Sequence, residues 1–153
     1  METILSGEFE STVDPKGRFL MPALLKKQLP QNELEDLWLN RSIHGLKCLV
    51  LFPGTVWKEE LNRIYSRNRF DRRVEELGRL FQAGSTSISF DSNARVLIPK
   101  RLLDHAGITK DIILKAAFDR IEIWDRETYE SYITQLPYDI GDLVKQVMVD
   151  DDK

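Results

Sequence analysis

The segments "VDPKGRFLMP" (Val13 to Pro22) and "FDSNARVLIP" (Phe90 to Pro99) spell nearly the same phrase 77 positions apart. An internal repeat restricts a fold more than composition does, because both copies must be able to build the same local unit. The match runs beyond the ten letters. Gly7 and Gly84 share the offset, and each opens an extended segment leading to an Asp. After the shared proline comes a helix-like stretch, Ala23 to Leu29 in one copy and Lys100 to Ala106 in the other. Proline suits a first helical position, where its missing N–H would go unused. Pro30 and Gly107 then stop the two helices.

Two strand-like runs follow in each half. Leu37-Trp38-Leu39 matches Ile112-Ile113-Leu114, and Leu49-Val50-Leu51-Phe52 matches Ile121-Glu122-Ile123-Trp124. The alternation of Ile121, Glu122 and Ile123 has the period of two of a half-buried strand. His44-Gly45 and Asp119-Arg120 supply the turns. Each half thus reads as ββαββ. The first is longer by five residues, with 35 positions from Asp14 to Leu49 against 30 from Asp91 to Ile121. Extra length belongs in a loop, where it is thermodynamically cheap.

A unit of about 45 residues has too little core to stand alone. The expected fold is therefore α+β and mainly β: a pseudo-symmetric β-barrel made from two ββαββ repeats, with linking helices. Its two Asp-to-Arg loops would be related by an approximate two-fold axis. Two independent copies on a string would leave the doubly apolar run Leu49 to Phe52 uncovered. The expected boundaries are 7–53 for the first repeat, 54–83 for a helical linker, 84–133 for the second repeat and 134–153 for a C-terminal amphipathic helix with an acidic tail.

In the linker, Trp57, Leu61, Ile64 and Tyr65 recur at helical spacing, as do Phe70, Val74, Leu77 and Phe81. Their polar faces carry Arg63, Arg67, Arg69, Arg72, Arg73 and Arg79 beside Asp71, Glu75 and Glu76. Such mixed charge reads as a solvated face, with subunit or phosphate contacts as the alternative. Ile140, Leu143, Val144, Val147 and Met148 form a third stripe, which Asp139 can cap. That stripe must dock on its own barrel or on a neighbour. Asp150 to Lys153 reads as a frayed tail.

Charge and cysteine content narrow the function. The formal net charge is −3, and residues 134–153 alone hold five Asp and two Lys. The remainder is neutral overall, yet Asp14 to Lys27 carries Lys16, Arg18, Lys26 and Lys27 against a single acid. Nucleic acid responds to charge at the contact face, not to the total. The single Cys48 lies in an apolar run and reads as a packed core thiol in a reducing compartment. Met1 to Phe9 lacks the pattern of a secretory signal, and no run approaches a membrane span.

The repeated loops hold the candidate site. An Asp accepts hydrogen bonds from backbone N–H groups two residues on, and Gly17 tolerates positive φ, so Asp14, Pro15 and Gly17 explain themselves as turn formers. Asp91 and Asn93 play the corresponding parts in the second loop. Turn formation does not explain Lys16, nor Arg18 and Arg95 at the same offset from an Asp. The planar fork of Arg matches guanine O6 and N7, or a phosphate. Salt bridges from Arg18 to Asp14 and from Arg95 to Asp91 are the alternative, and both hold if the Asp orients the Arg.

Enzyme chemistry finds no footing. His44 and His105 lie far apart in sequence, outside any metal or triad spacing, and no phosphate-binding glycine loop is present. Glu59-Glu60 and Glu75-Glu76 are adjacent on helices and do not face each other. No catalytic residue, metal or cofactor is expected.

With Asp14-x-x-x-Arg18, Asp91-x-x-x-Arg95 and the flanks "GRFLMP" and "ARVLIP", the chain resembles the MraZ family of bacterial regulators, built from two AbrB-like repeats. The resemblance covers nearly the whole chain. It implies a swapped-hairpin, AbrB-like double-split β-barrel and ring-like homo-oligomers in the cytoplasm, associated with the nucleoid. It also implies binding to double-stranded DNA at short G-rich tandem repeats upstream of the division and cell-wall operon that includes its own gene, with repression. Arg18 would contact DNA, with Lys16 and Arg95 near it. One departure stands out: Ala94 replaces the usual Gly. If that position needs positive φ, Ala costs about 1 kcal/mol, and Asn93 can absorb the turn instead. The reading kept open beside this one is a protein-binding scaffold or antidote-type module, using the tail and exposed aromatics such as Tyr129 and Tyr132.

Overall fold

In each half of the chain an extended segment runs into the Asp-to-Arg loop and returns as a second short strand. The computed structural model describes residues 4–151. In the first half these strands are β1 (Glu8–Thr12) and β2 (Arg18–Leu20), followed by α1 (Ala23–Gln28), a 3₁₀ turn at Gln31–Glu33, β3 (Leu37–Arg41) and β4 (Leu49–Pro53). In the second half they are β5 (Thr86–Ile88) and β6 (Arg95–Leu97), followed by α4 (Lys100–Ala106), β7 (Asp111–Ala117) and β8 (Arg120–Asp125). Between the halves lie α2 (Gly54–Tyr65) and α3 (Arg72–Gln82), and after them α5 (Arg126–Gln135) and α6 (Ile140–Asp151).

The halves exchange strands. A six-stranded antiparallel sheet runs β1-β7-β8-β4-β3-β5, and β2 pairs with β6 in a separate ribbon. The first strand of each repeat therefore lies on the third strand of the other. Both orders read the same when the repeats are swapped, as an approximate dyad requires. The dyad crosses the sheet where Val50 faces Glu122, and crosses the ribbon where Phe19 faces Val96. The fold is α+β and mainly β, as the repeat led one to expect.

Alternation sorts the side chains. Leu37, Leu39, Leu49, Leu51, Ile112, Leu114, Ile121 and Ile123 point to the inner face, where they meet Phe19, Val96, Met21, Ile98 and the inward residues of α1 and α4. The outer face carries two satellite clusters. Val50 and Phe52 lie under Trp57 of α2 and Phe81 of α3. Cys48, Ile113 and Trp124 lie under Tyr129 of α5. Phe52–Trp57 and Trp124–Tyr129 are matching aromatic contacts with centroids 5.3 and 5.4 Å apart.

Several expectations shift. The second hairpin turn falls at Phe118–Asp119, one residue early, because Ala117 pairs with Arg120 and Phe118 takes the positive φ. Phe70 does not join the α3 stripe: Asp71 caps the helix through the N–H of Arg73, leaving Phe70 outside and exposed. Tyr129 is buried, unlike Tyr132, since the repeat places it where Trp57 sits in the first half. The arginines of the linker largely pair within the α2–α3 hairpin, Arg69 with Glu75 and Arg73 with Asp71, each at 2.8 Å. That is the solvated-face reading.

Asp139 accepts from the N–H of Asp142 at 3.1 Å and caps α6 as expected. The helix continues through Asp151, so Asp150 and Asp151 belong to it, and only 152–153 of the expected frayed tail lie outside the described residues. The α6 stripe does not dock on its own barrel: Ile140, Leu143, Val144, Val147 and Met148 are 36% to 80% exposed. Among the described residues, no helix is long and apolar enough to cross a membrane.

Candidate nucleic-acid interface

Asp14 shapes the first loop through one carboxylate. Its Oδ1 accepts from the backbone N–H groups of Lys16 and Arg18, each at 2.9 Å. Its carbonyl accepts from Gly17, and its own N–H donates to the carbonyl of Arg18. Gly17 takes φ +89°, and a Cβ there would lie 2.9 Å from the Ile98 carbonyl oxygen. Glycine is therefore required twice over, for its torsion and for the close backbone approach.

The second loop repeats the pattern. Asp91 Oδ1 accepts from the N–H groups of Asn93 (2.8 Å) and Arg95 (2.9 Å), and the Asp91 carbonyl accepts from Ala94. Ala94 itself carries the left-handed torsion, φ 60°, and Asn93 does not relieve it. Alanine accepts this strain because the flanking hydrogen bonds over-determine the turn.

The loops are also tied to each other. The N–H of Ile98 donates to the Gly17 carbonyl at 2.9 Å, and the N–H of Met21 donates to the Ala94 carbonyl at 3.1 Å. Each loop thus rests on the strand that leaves the other, and the two tips hold a fixed spacing across the β2–β6 ribbon. Neither repeat could set that spacing alone.

The arginines are oriented and left open. Arg18 donates through Nε to Asp14 Oδ2 at 2.9 Å, and Arg95 does the same to Asp91 at 3.1 Å. Among the described residues, no acceptor meets the terminal amino groups of either fork. Their side chains are 30% and 31% exposed. Each Asp therefore steers its Arg through one nitrogen and leaves two amino groups available for a planar acceptor pair. Salt bridge and open fork coexist.

The carboxylates stay ionised well into acid. The backbone N–H of Arg95 is the largest cause of the lowered pKa of Asp91, and that of Arg18 is the largest for Asp14. The Arg18 guanidinium adds to the lowering at Asp14 through its hydrogen bond and its charge. Lys16 is exposed beside Arg18 on the first loop. Lys26 lies over the Phe90 ring at 4.5 Å, a cation from the first repeat set against the start of the second loop.

The structure thus brings Asp14, Lys16, Gly17, Arg18, Asp91, Asn93 and Arg95 together on two loops joined across the β2–β6 ribbon. It adds two residues that the sequence pattern alone did not single out. Leu20 and Leu97 are exposed on the same ribbon face as the arginines. Their alternation with the buried Phe19 and Val96 was the available signal. His44 and His105 are exposed and separate, and among the described residues no cluster of three His, Cys, Asp or Glu side chains could hold a metal.

Known proteins match along the whole of this architecture. The family described as "MraZ protein, putative antitoxin-like" matches residues 81–140, the second repeat with its loop. A transcriptional regulator MraZ of Flavobacterium psychrophilum is 42% identical over 155 aligned positions, covering 100% of this chain and 98% of the relative. That of Christiangramia forsetii is 38% identical, covering 97% and 95%. That of Heliobacterium modesticaldum is 34% identical, covering 82% and 84%. Doubled Asp-to-Arg loops, exchanged strands and end-to-end likeness to these proteins agree: the chain belongs to the MraZ family.

Proposed function

We propose that this chain is a DNA-binding regulator of transcription that acts without catalysis, as a homo-oligomer on double-stranded DNA. Curated relatives carry the name transcriptional regulator, and the named activity extends to this chain by likeness over its full length. The observation that carries the DNA reading is the pair of guanidinium forks on one ribbon face, each oriented by its own Asp. Bidentate donation to guanine O6 and N7 is the commonest specific contact an Arg makes in the major groove, which is wide enough for a two-stranded ribbon. Lys16 adds a point charge for phosphate.

One pair of tips on a body of neutral charge binds weakly. Linking several pairs in an oligomer converts weak contacts into avidity where the DNA repeats at matching spacing. The exposed stripe of α6 supports an oligomer, since an apolar face of that extent calls for a partner. Short G-rich tandem repeats upstream of the chain's own division and cell-wall operon are the proposed target, and repression is the proposed outcome. The place of action is then the cytoplasm, at the nucleoid.

A footprint on the DNA upstream of its own gene tests this. Evenly spaced protection is expected, and Arg18→Ala abolishes it while light scattering reports an unchanged mass. Unchanged affinity would remove Arg18 from the mechanism. The antidote-type reading, in which the barrel holds another protein, draws on the α6 stripe and on the antitoxin-like family description. Burial of Tyr129 weakens it, leaving Tyr132 as the exposed aromatic of that pair.

A further inference from the structure

The β2–β6 ribbon exposes two leucines that its own packing does not use. Leu20 is 55% exposed and Leu97 54%, while Phe19 and Val96 between the arginines and leucines are buried. A lone exposed leucine needs no explanation. These two are equivalent in the repeat and flank the dyad. In the register, Leu97 stands opposite Arg18 and Leu20 opposite Arg95. Side chains directly opposite on one face lie about 5 Å apart at Cβ. The outer face of the ribbon is therefore a four-residue head in which each arginine tip has an apolar neighbour from the other repeat. Leu97 leans toward its tip: its Cδ1 is 3.6 Å from where a Cβ on Gly17 would lie.

A surface that joins a guanidinium fork to an aliphatic group asks for a ligand with the same pairing of features. A phosphate backbone offers acceptors and charge but nothing apolar at that depth. Base edges in the major groove do. Guanine presents O6 and N7 to the fork, and the thymine C5-methyl is the one aliphatic group on the groove floor. Cytosine in its place would set an N4 donor against leucine, leaving that donor unpaired.

Resting on the DNA-binding reading above, we propose that Leu20 and Leu97 read thymine methyl groups, each beside the base pair addressed by the arginine opposite it. The head then recognises a guanine with a thymine close by, and does so twice about the dyad. Because Arg18 pairs with Leu97 and Arg95 with Leu20, each half of the readout needs both repeats.

Replacing thymine by uracil removes the methyl and nothing else from the base. The fragment upstream of the protein's own gene is made once with thymine and once with uracil, and both are titrated against the full-length wild type and the double variant Leu20→Ala/Leu97→Ala. The wild type is expected to bind the uracil fragment about fourfold more weakly for each leucine-facing methyl group removed. The double variant binds the thymine fragment more weakly than the wild type does, and is indifferent to uracil. Equal wild-type affinity for the two fragments overturns the inference and leaves the DNA-binding reading intact. A double variant that still loses affinity on uracil also overturns it, since the loss then arises from duplex shape. Failure of the wild type to bind either fragment overturns the DNA-binding reading and this inference with it. Unchanged thermal melting of the double variant shows that both alanines leave the fold in place.

Discussion

Phe19 and Val96 face each other across the β2–β6 ribbon, 77 positions apart in the chain, at the point where the two repeats meet. Both are buried, and together they close the core beneath the arginine tips. Phe19→Ala is expected to destabilise the protein by about 3–5 kcal/mol, the range for truncating a packed aromatic. Leu20→Ala, one position on but exposed, is expected to stay within about 0.5 kcal/mol. Chemical denaturation of the two variants checks the contrast. Equal losses would mean that the ribbon is not seated as described.

The two loops make the same turn with different residues, and this predicts opposite responses to exchange. Gly17→Ala places a Cβ at φ +89° and 2.9 Å from a carbonyl oxygen. It should destabilise by about 1–2 kcal/mol. Ala94→Gly relieves a left-handed alanine but loosens the unfolded chain, so its gain is smaller, at most about 1 kcal/mol. Thermal melting of both variants reads the sign. A destabilised Ala94→Gly would mean that the freedom gained by the unfolded chain, together with any lost Cβ packing, outweighs the torsional strain.

Much of this architecture was legible because the repeat is legible. Two ββαββ halves, their short helices after Pro22 and Pro99, and the inward strands follow from spacing alone. Local patterning carried less about partners. Nothing within Glu8 to Thr12 says that β1 pairs with β7 in the other half, since register depends on which apolar faces meet in space. The left-handed torsion at Ala94 was hidden because alanine disfavours it, and Asn93 was the better local candidate. Tyr129 was legible in principle: it stands in the second repeat where Trp57 stands in the first. The exposed Leu20 and Leu97 were not legible as partners of the arginines, because the cross-strand register that sets each beside a tip joins residues from different repeats.

The Asp carboxylates predict an acid response with a definite sign. Hydrogen bonding lowers the pKa of Asp14 in the folded protein, with the Arg18 N–H as the largest cause. A lowered folded value means that the group's contribution is fully present above the ordinary value of about 3.9. The contribution is lost as pH falls through the depressed value, because protonation then removes acceptor strength from the loop. A carbon NMR titration of the Asp14 carboxyl should show a midpoint below the ordinary one. Since the Arg18 backbone N–H is the largest single cause, Arg18→Ala should leave the midpoint below the ordinary value. A midpoint restored to the ordinary value would show that the guanidinium, not the backbone, holds the loop.

Cys48 should be chemically silent in the folded state. It is fully buried against Ile113, Trp124 and Tyr129. Burial, with Glu122 adding to it, pushes the thiol up to about 12. The thiolate is the reactive form, so at mildly alkaline pH almost none is available. Iodoacetamide should fail to label the native protein and should label it fully in denaturant. Labelling of the native protein would indicate opening beneath α5.

Removal of α6 separates folding from assembly. The helix carries five apolar residues at helical spacing, all of them substantially exposed, and it does not pack on its own barrel. Deleting residues 137–153 should therefore leave the melting temperature nearly unchanged. On the proposed homo-oligomer, it should lower the mass seen by light scattering, because a second copy would cover the exposed stripe. Affinity for DNA with a single site should barely change, since the Arg18 and Arg95 tips lie on the ribbon. Affinity for a repeated array should fall by about a hundredfold or more, the usual scale of avidity. A truncated protein of unchanged mass would show that α6 does not hold copies of the chain together. A fall in single-site affinity as large as that on the array would mean that α6 acts on the tips themselves and not through assembly.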